Sequence, residues 1–222
     1  MRNSFAPGEF YHLYSRGIEK RSVFMDGKDH ERFIRLLFFC NGTKPVSMKS
    51  LGKKVSFLDH LNKKGDRLVD VGAYCLMPNH FHILIRDRGG SVTTFMRKLM
   101  TAYTMYFNKK YERTGRLFES SFKSTHIGYD EYLKYLFAYI HLNPLKLINS
   151  KWREEGFQGK ASSRNLLEGY VFSSFKDYCG ESRNETAILN KEAFPEYFSD
   201  IKDFTSYLDD WMDFTPEVKP RG

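Results

Sequence analysis

The chain has 222 residues, with 35 Lys and Arg against 27 Asp and Glu for a net charge of +8, and 41% apolar side chains. That is enough to bury the core of one domain with an appendage, and no run approaches the roughly 20 apolar residues that cross a bilayer. The expectation is a cytoplasmic, nucleoid-associated protein: the first 25 residues are too polar for a secretory signal, and Cys40, Cys75 and Cys179 fit neither a disulfide framework nor a zinc spacing.

The charge is uneven. Residues 177–222 hold 11 acidic and 5 basic side chains, a balance of −6, which leaves about +14 on the first 176 and points to a polyanion as the partner of the body.

In chain order, Phe10 to Ser15 reads as a strand followed by a basic turn, and "DGKDHERFIRLLFFC" places Phe33, Leu36, Leu37 and Cys40 at helical spacing. Residues 42–66 carry six lysines against two aspartates with Gly and Pro punctuation, a long excursion with a short helix expected at Ser56–Lys63. "RLVDVGAYCLM" and "HFHILIRD" are strand-like runs separated by Pro78-Asn79, an antiparallel hairpin. The longest helix follows, with Ser91 as candidate N-cap, Phe95, Leu99, Ala102, Tyr103 and Tyr106 on one stripe, and Gly115 beyond its end. "RLFESSFKSTHI" reads as another strand, and "DEYLKYLFAYIHLNP" as a helix opened by Asp130 and stopped or kinked by Pro144.

The order βαββαβ, then a helix, predicts an α+β fold: a ferredoxin-like (split βαβ) four-stranded antiparallel sheet with helices on one face. The last helix is expected across the other face. We expect residues 1–150 to form this domain and residues 151–222, acidic and aromatic, to form a C-terminal extension packed on it, with a short element near "YVFSSFKDY" and a weak helical period towards "DWMDF".

The chemistry concentrates in "CLMPNHFHILI". On a strand His80 and His82 share one face and Phe81 the other, so two imidazoles converge on one spot. Such a pair is a metal site, a satisfied structural couple or an exposed edge. On the last helix Tyr132, Leu136, Tyr139 and Asn143 fall on one stripe; the ordinary alternative is a core face, but an amide one turn after a tyrosine would suit a metal site beside a phenol. Tyr135, one turn before Tyr139, is the main rival to it. Tyr103, Tyr106 and Tyr111 belong to a core stripe, His141 points away from Tyr139 and reads as structural, and His12 and His126 receive no role. Arg97, Lys98, Lys109, Lys110, Arg113, Arg116 and Lys123, interleaved with aromatics, read either as a solvated face or as a track for the phosphates of single-stranded or hairpin DNA.

"YHLYSRG", "LMPNHFHILI", "GRLFESSFKS" and "YIHLNPLK" together resemble, over residues 8 to 150, the bacterial single-tyrosine (Y1) transposases of the HUH endonuclease superfamily, and most of all the REP-associated tyrosine transposases. The resemblance implies an enzyme that nicks and joins single-stranded DNA. It makes His80 and His82 ligands of a divalent metal, Mg²⁺ or Mn²⁺, Asn143 the third ligand and Tyr139 the nucleophile. Attack would leave a 5′-phosphotyrosine and a free 3′-OH, a transesterification that needs no nucleotide and agrees with the lack of a phosphate-binding GxxxxGK[ST] loop. A phenol titrates near about 10 and attacks poorly at neutral pH unless the phosphate is polarised or its proton is lost, so a metal suits it. The resemblance admits a homodimer or a monomer. The rival readings are a hairpin-binding protein with little turnover and a metal-dependent phosphoesterase that uses activated water.

Overall fold

The computed structural model describes residues 5–45, 56–155, 157 and 160–213. Residues 46–55, which hold three of the six lysines of the excursion, and residues 214–222 of the extension lie outside them.

Four strands, β1 (Phe10–Arg16), β2 (Val69–Met77), β3 (His80–Asp87) and β4 (Lys123–Ile127), form one antiparallel sheet in the order β2-β3-β1-β4. With α1 (Gly27–Cys40) after β1 and α2 (Val92–Lys110) after β3, this is the ferredoxin-like arrangement that the element order predicts. β2 and β3 meet at Pro78-Asn79. Carbonyls of that turn accept from Gly17, Val23 and Phe24 backbone N–H groups, which pins the hairpin to the chain leaving β1.

Alternation along β3 divides the molecule. Phe81, Ile83 and Ile85 face α1 and α2, where they are buried with Phe33, Leu37, Phe95, Leu99 and Tyr103. His80, His82 and Leu84 face the other way, towards α3 (Asp130–His141), whose Leu133, Leu136, Phe137 and Ile140 pack with Ala73, Cys75, Met77 and Leu84.

The extension begins with α4 (Trp152–Glu155) and α5 (Lys160–Gly169), continues through α6 (Phe175–Tyr178) and ends in α7 (Ile201–Asp213). It lines the outer edge of β2: Leu76 N–H donates to Phe172 O, Ser174 N–H to Tyr74 O, and Asn190 N–H to Val71 O. An edge strand whose backbone groups are taken is closed to further pairing. Gly72 makes close packing possible there, because a β-carbon on it would stand 2.6 Å from the Phe194 ring, at the point where the β2–β3 register slips.

Four local expectations are corrected. The strand expected from "RLFESSFKSTHI" is regular only over β4. Before it, Leu117 and Phe118 turn into the core, and Leu117 O and Glu119 N–H bond to Ile18 N–H and Arg16 O instead of extending the ladder. The helix expected at Ser56–Lys63 is a single 3₁₀ turn, Leu58–His60. The last helix, expected to carry its stripe through to Asn143, ends at His141, and Asn143 opens a 3₁₀ turn (Asn143–Leu147), since Pro144 has no N–H to continue the ladder. Ser91 stands at the N-terminus of α2 but its hydroxyl caps nothing. The buried Asp87 carboxylate accepts from the Gly89, Gly90 and Ser91 N–H groups, with both glycines at positive φ.

Candidate active site

Three segments converge on the face of the sheet opposite α1 and α2. β3 contributes His80 and His82, which share that face because they lie two residues apart. β1 runs beside it in a register that pairs Tyr14 with His82 and Arg16 with His80. Over them lies α3, which sets the Tyr139 ring 5.3 Å from that of His82 and 5.7 Å from that of His12, edge-on to both.

His80 Nδ1 is 2.6 Å from Asn79 Oδ1, so its N–H points to the turn and its other nitrogen carries a lone pair. His82 is buried, and its Nδ1 shares a hydrogen bond of 2.8 Å with His12 Nε2. Asn143 is fully buried; its amide donates to Tyr139 O, one turn back, at 3.2 Å. Among the described residues His82 Nε2 and Asn143 Oδ1 are buried with no hydrogen-bond partner. Buried polar atoms are rarely left so, and these two are electron-pair donors in the pair and the amide that the sequence motifs single out.

Burial keeps the imidazoles neutral. It lowers His80 to about 4, with Lys146 and Arg16 adding to the effect and the Asn143 amide opposing it, lowers His12 to about 3, and holds His82 well below its ordinary value with His12 and His80 contributing. Neutral imidazoles are the form that ligates metals. No group of three His, Cys, Asp or Glu among the described residues is placed to hold an ion. The two orphaned atoms, His82 Nε2 and Asn143 Oδ1, are donors of the kind a divalent cation takes, and the His80 ring lies 5.0 Å from that of His82.

Positive charge surrounds the phenol from two residues to which the sequence assigned no role. The Arg153 guanidinium of α4 lies 4.1 Å from the Tyr139 ring centroid and donates to Tyr139 O at 3.2 Å; Lys146 Nζ, from the 3₁₀ turn, lies 5.9 Å from the same centroid. Lys146 is half-buried, and burial together with Arg153 and Arg16 lowers it to about 8, with Cys75 opposing. Tyr135, the rival to Tyr139, packs with its ring centroid 4.6 Å from that of Trp211 of α7, the two rings tilted by 56°, and burial pushes it up to about 12.

The basic residues expected to form a DNA track are dispersed. Lys110 is tied to Asp26 and Asp29, Lys98 donates to Gly42 O, and Arg113 binds Asn108 and Arg116 O. α2 lies across the sheet from Tyr139, and Arg97, Lys109 and Arg116 are exposed. Lys123, paired in register with Tyr14, stands on the tyrosine face. As expected for core residues, Tyr103 donates to Val23 O, and Tyr106 and Tyr111 donate to the buried Asp29. His141 donates to Phe137 O and meets Ser174 Oγ at 2.8 Å, and His126 pairs with Glu9.

The family model described as IS200-like transposase matches residues 53–143, from before β2 to Asn143. A solved structure of a REP-associated tyrosine transposase bound to a REP hairpin superposes with a TM-score of 0.52, covering 83% of this chain and 88% of that one at 13% identity, a likeness of fold. No curated protein matches the chain. No helix among the described residues is long and apolar enough to cross a membrane.

Proposed function

We propose, from the match of residues 53–143 to the family model described as IS200-like transposase, that the chain is a member of that family and cleaves and rejoins single-stranded DNA through Tyr139, at or beside a hairpin. The observation that carries the reading is the placement of the Tyr139 ring over His82, next to the two orphaned donors His82 Nε2 and Asn143 Oδ1. His80, His82 and Asn143 would hold the divalent ion, Mg²⁺ or Mn²⁺, which when bound supplies Lewis-acid polarisation of the scissile phosphate.

The chain's own residues do the rest. Tyr139 Oη attacks phosphorus, the bond to the 3′ oxygen breaks, the phenolic proton leaves, and the 3′ oxygen is protonated. The products are a 5′-phosphotyrosine and a 3′-OH, and a second 3′-OH reverses the step on another strand. Arg153 and Lys146 flank the ring and present cations to the non-bridging oxygens and to the charge that forms on the phenol. The hairpin as substrate rests on the folding likeness to a transposase solved with a REP hairpin. For this role Lys123, with Arg16, Lys146 and Arg153 on the tyrosine face, is better placed than Arg97, Lys98, Lys109 and Lys110 of α2, and a homodimer is not required by it.

The test is a denaturing gel for a protein–DNA adduct, using single-stranded oligonucleotides from both strands flanking the gene, with Mg²⁺ or Mn²⁺. A slower band formed by wild type with metal, and absent from Tyr139→Phe, is the expected result. Tight hairpin binding in a native gel without any adduct would favour a binding protein, and hydrolysis that survives Tyr139→Phe would favour activated water.

A further inference from the structure

His12 stands in "YHLYSRG" and received no role from the sequence, yet it lies deep in the site. It sits on β1 opposite Leu84, one diagonal step across the ladder from His82, buried, with its Nε2 2.8 Å from His82 Nδ1. Two imidazole nitrogens at that distance share one proton: one donates and the other accepts. The far end of His82 decides which. Its Nε2 is buried without a partner, and a buried N–H with nothing to donate to is the rarer and costlier orphan, whereas a bare lone pair there is what a ligand offers.

We propose that His12 is a positioning residue that holds His82 as its Nδ1–H tautomer: His82 Nδ1–H donates to the bare Nε2 of His12, which keeps the proton off His82 Nε2 and leaves that lone pair free beside Tyr139. The inference rests on the proposed metal site for its purpose but not for its content, because the tautomer exists without metal. An isolated neutral imidazole favours the Nε2–H form. Without an acceptor at Nδ1, His82 would drift to the tautomer whose lone pair faces the wrong way. His80 is held in the same sense by its neighbour Asn79, at 2.6 Å, so both rings present the same nitrogen to the site.

The experiment uses the full-length ¹⁵N-labelled protein without metal or DNA. Two-bond proton–nitrogen correlations are expected to show His82 protonated at Nδ1 and His12 bare at Nε2. Calorimetric titration with Mn²⁺ then compares wild type with His12→Leu, which fills the space without an acceptor, and His12→Gln, whose amide oxygen reaches about as far as Nε2. His12→Leu should weaken Mn²⁺ binding by roughly 10–100-fold, the usual effect of losing an outer partner of a ligand, with His82 moving to Nε2–H, while His12→Gln keeps tautomer and affinity.

Wild-type His82 protonated at Nε2 overturns the proposal, as does His12→Leu binding Mn²⁺ like wild type. So does a loss of melting temperature with the tautomer of the folded protein unmoved, the mark of a merely structural residue. Should His12→Leu fail to fold, the wild-type spectrum and His12→Gln still decide. Absence of Mn²⁺ binding by wild type would sink the metal reading alone, leaving the tautomer to be judged by the spectrum.

Discussion

Tyr139 and Tyr135 are one helical turn apart, and their surroundings separate them. Tyr139 has an imidazole pair beneath it and a guanidinium 4.1 Å from its ring, whereas Tyr135 is packed on Trp211 and pushed up to about 12 by burial. Replacing Tyr139 by Phe deletes one hydroxyl and little volume, so adduct formation should vanish while hairpin affinity in a native gel stays nearly unchanged. Tyr135→Phe should keep the adduct, and an adduct lost in Tyr135→Phe but kept in Tyr139→Phe would reverse the assignment. Arg153→Ala and Lys146→Met should each slow single-turnover adduct formation by ~10²-fold, the scale of losing one preorganised charge at a phosphate or oxyanion, measured at saturating DNA so that binding does not contribute. Rates within twofold of wild type would leave those cations without a part in the chemistry. Spacing alone put His80 and His82 on one face and Asn143 one turn after Tyr139 and left a core face open; the four residues of the proposed centre could be named from the sequence only through the resemblance to the Y1 transposases. Arg153 was not legible there, since it arrives on a later helix, and His12 was not, since its meeting with His82 depends on a strand register that no local pattern encodes.

At the scale of elements, the start of α2 shows how a cap is read correctly in place and wrongly in agent. A serine before an apolar-periodic run is a sound N-cap signal, but the Asp87 carboxylate, buried at the end of β3, reaches the Gly89, Gly90 and Ser91 N–H groups first. Chemical denaturation should therefore separate them. Asp87→Ala is expected to cost about 2 kcal/mol, because it leaves several donors at the strand–helix junction unmade, and Ser91→Ala at most a few tenths. Equal losses would return the cap to Ser91. The same contrast explains β4. "RLFESSFKSTHI" has strand composition throughout, but burial of Leu117 and Phe118 against Phe81 and its neighbours redirects the first half, and only tertiary packing reveals that. The helices and the hairpin were legible because period, punctuation and length agreed. The extension was not, because its work is to complete other elements: it gives β2 its backbone partners and supplies Phe175, Phe204 and Leu208 to a cluster with Ala138 and Leu142 at the end of α3.

For the whole molecule, a basic body folded around neutral histidines makes stability depend on pH in a definite direction. His141 is fully buried behind α3, bonded to Phe137 O and Ser174, and burial lowers it to about 3, with Lys191 and Arg183 adding to the effect. Its value in the unfolded chain is about 6.5. A histidine whose folded value is depressed leaves the native state indifferent to protons that the unfolded chain takes up. The stability it confers is thus complete above about pH 6.5 and declines as pH falls from there towards 3. At pH 5 the loss from His141 alone is about 2 kcal/mol, with a slope approaching ~1.4 kcal/mol per pH unit for each such group. His12 and His82 act in the same sense on the other side of the site. Urea unfolding of the full chain at intervals from pH 7.5 to 5, in chelator so that no ion stabilises the native state, should show a steep decline on the acid side. His141→Gln, which can still accept from Ser174, should be less stable than wild type at pH 7.5 yet lose roughly one proton's worth of slope below pH 6.5. An unaltered slope in that variant would mean that His141 already takes up its proton in the folded protein, against the burial that surrounds it.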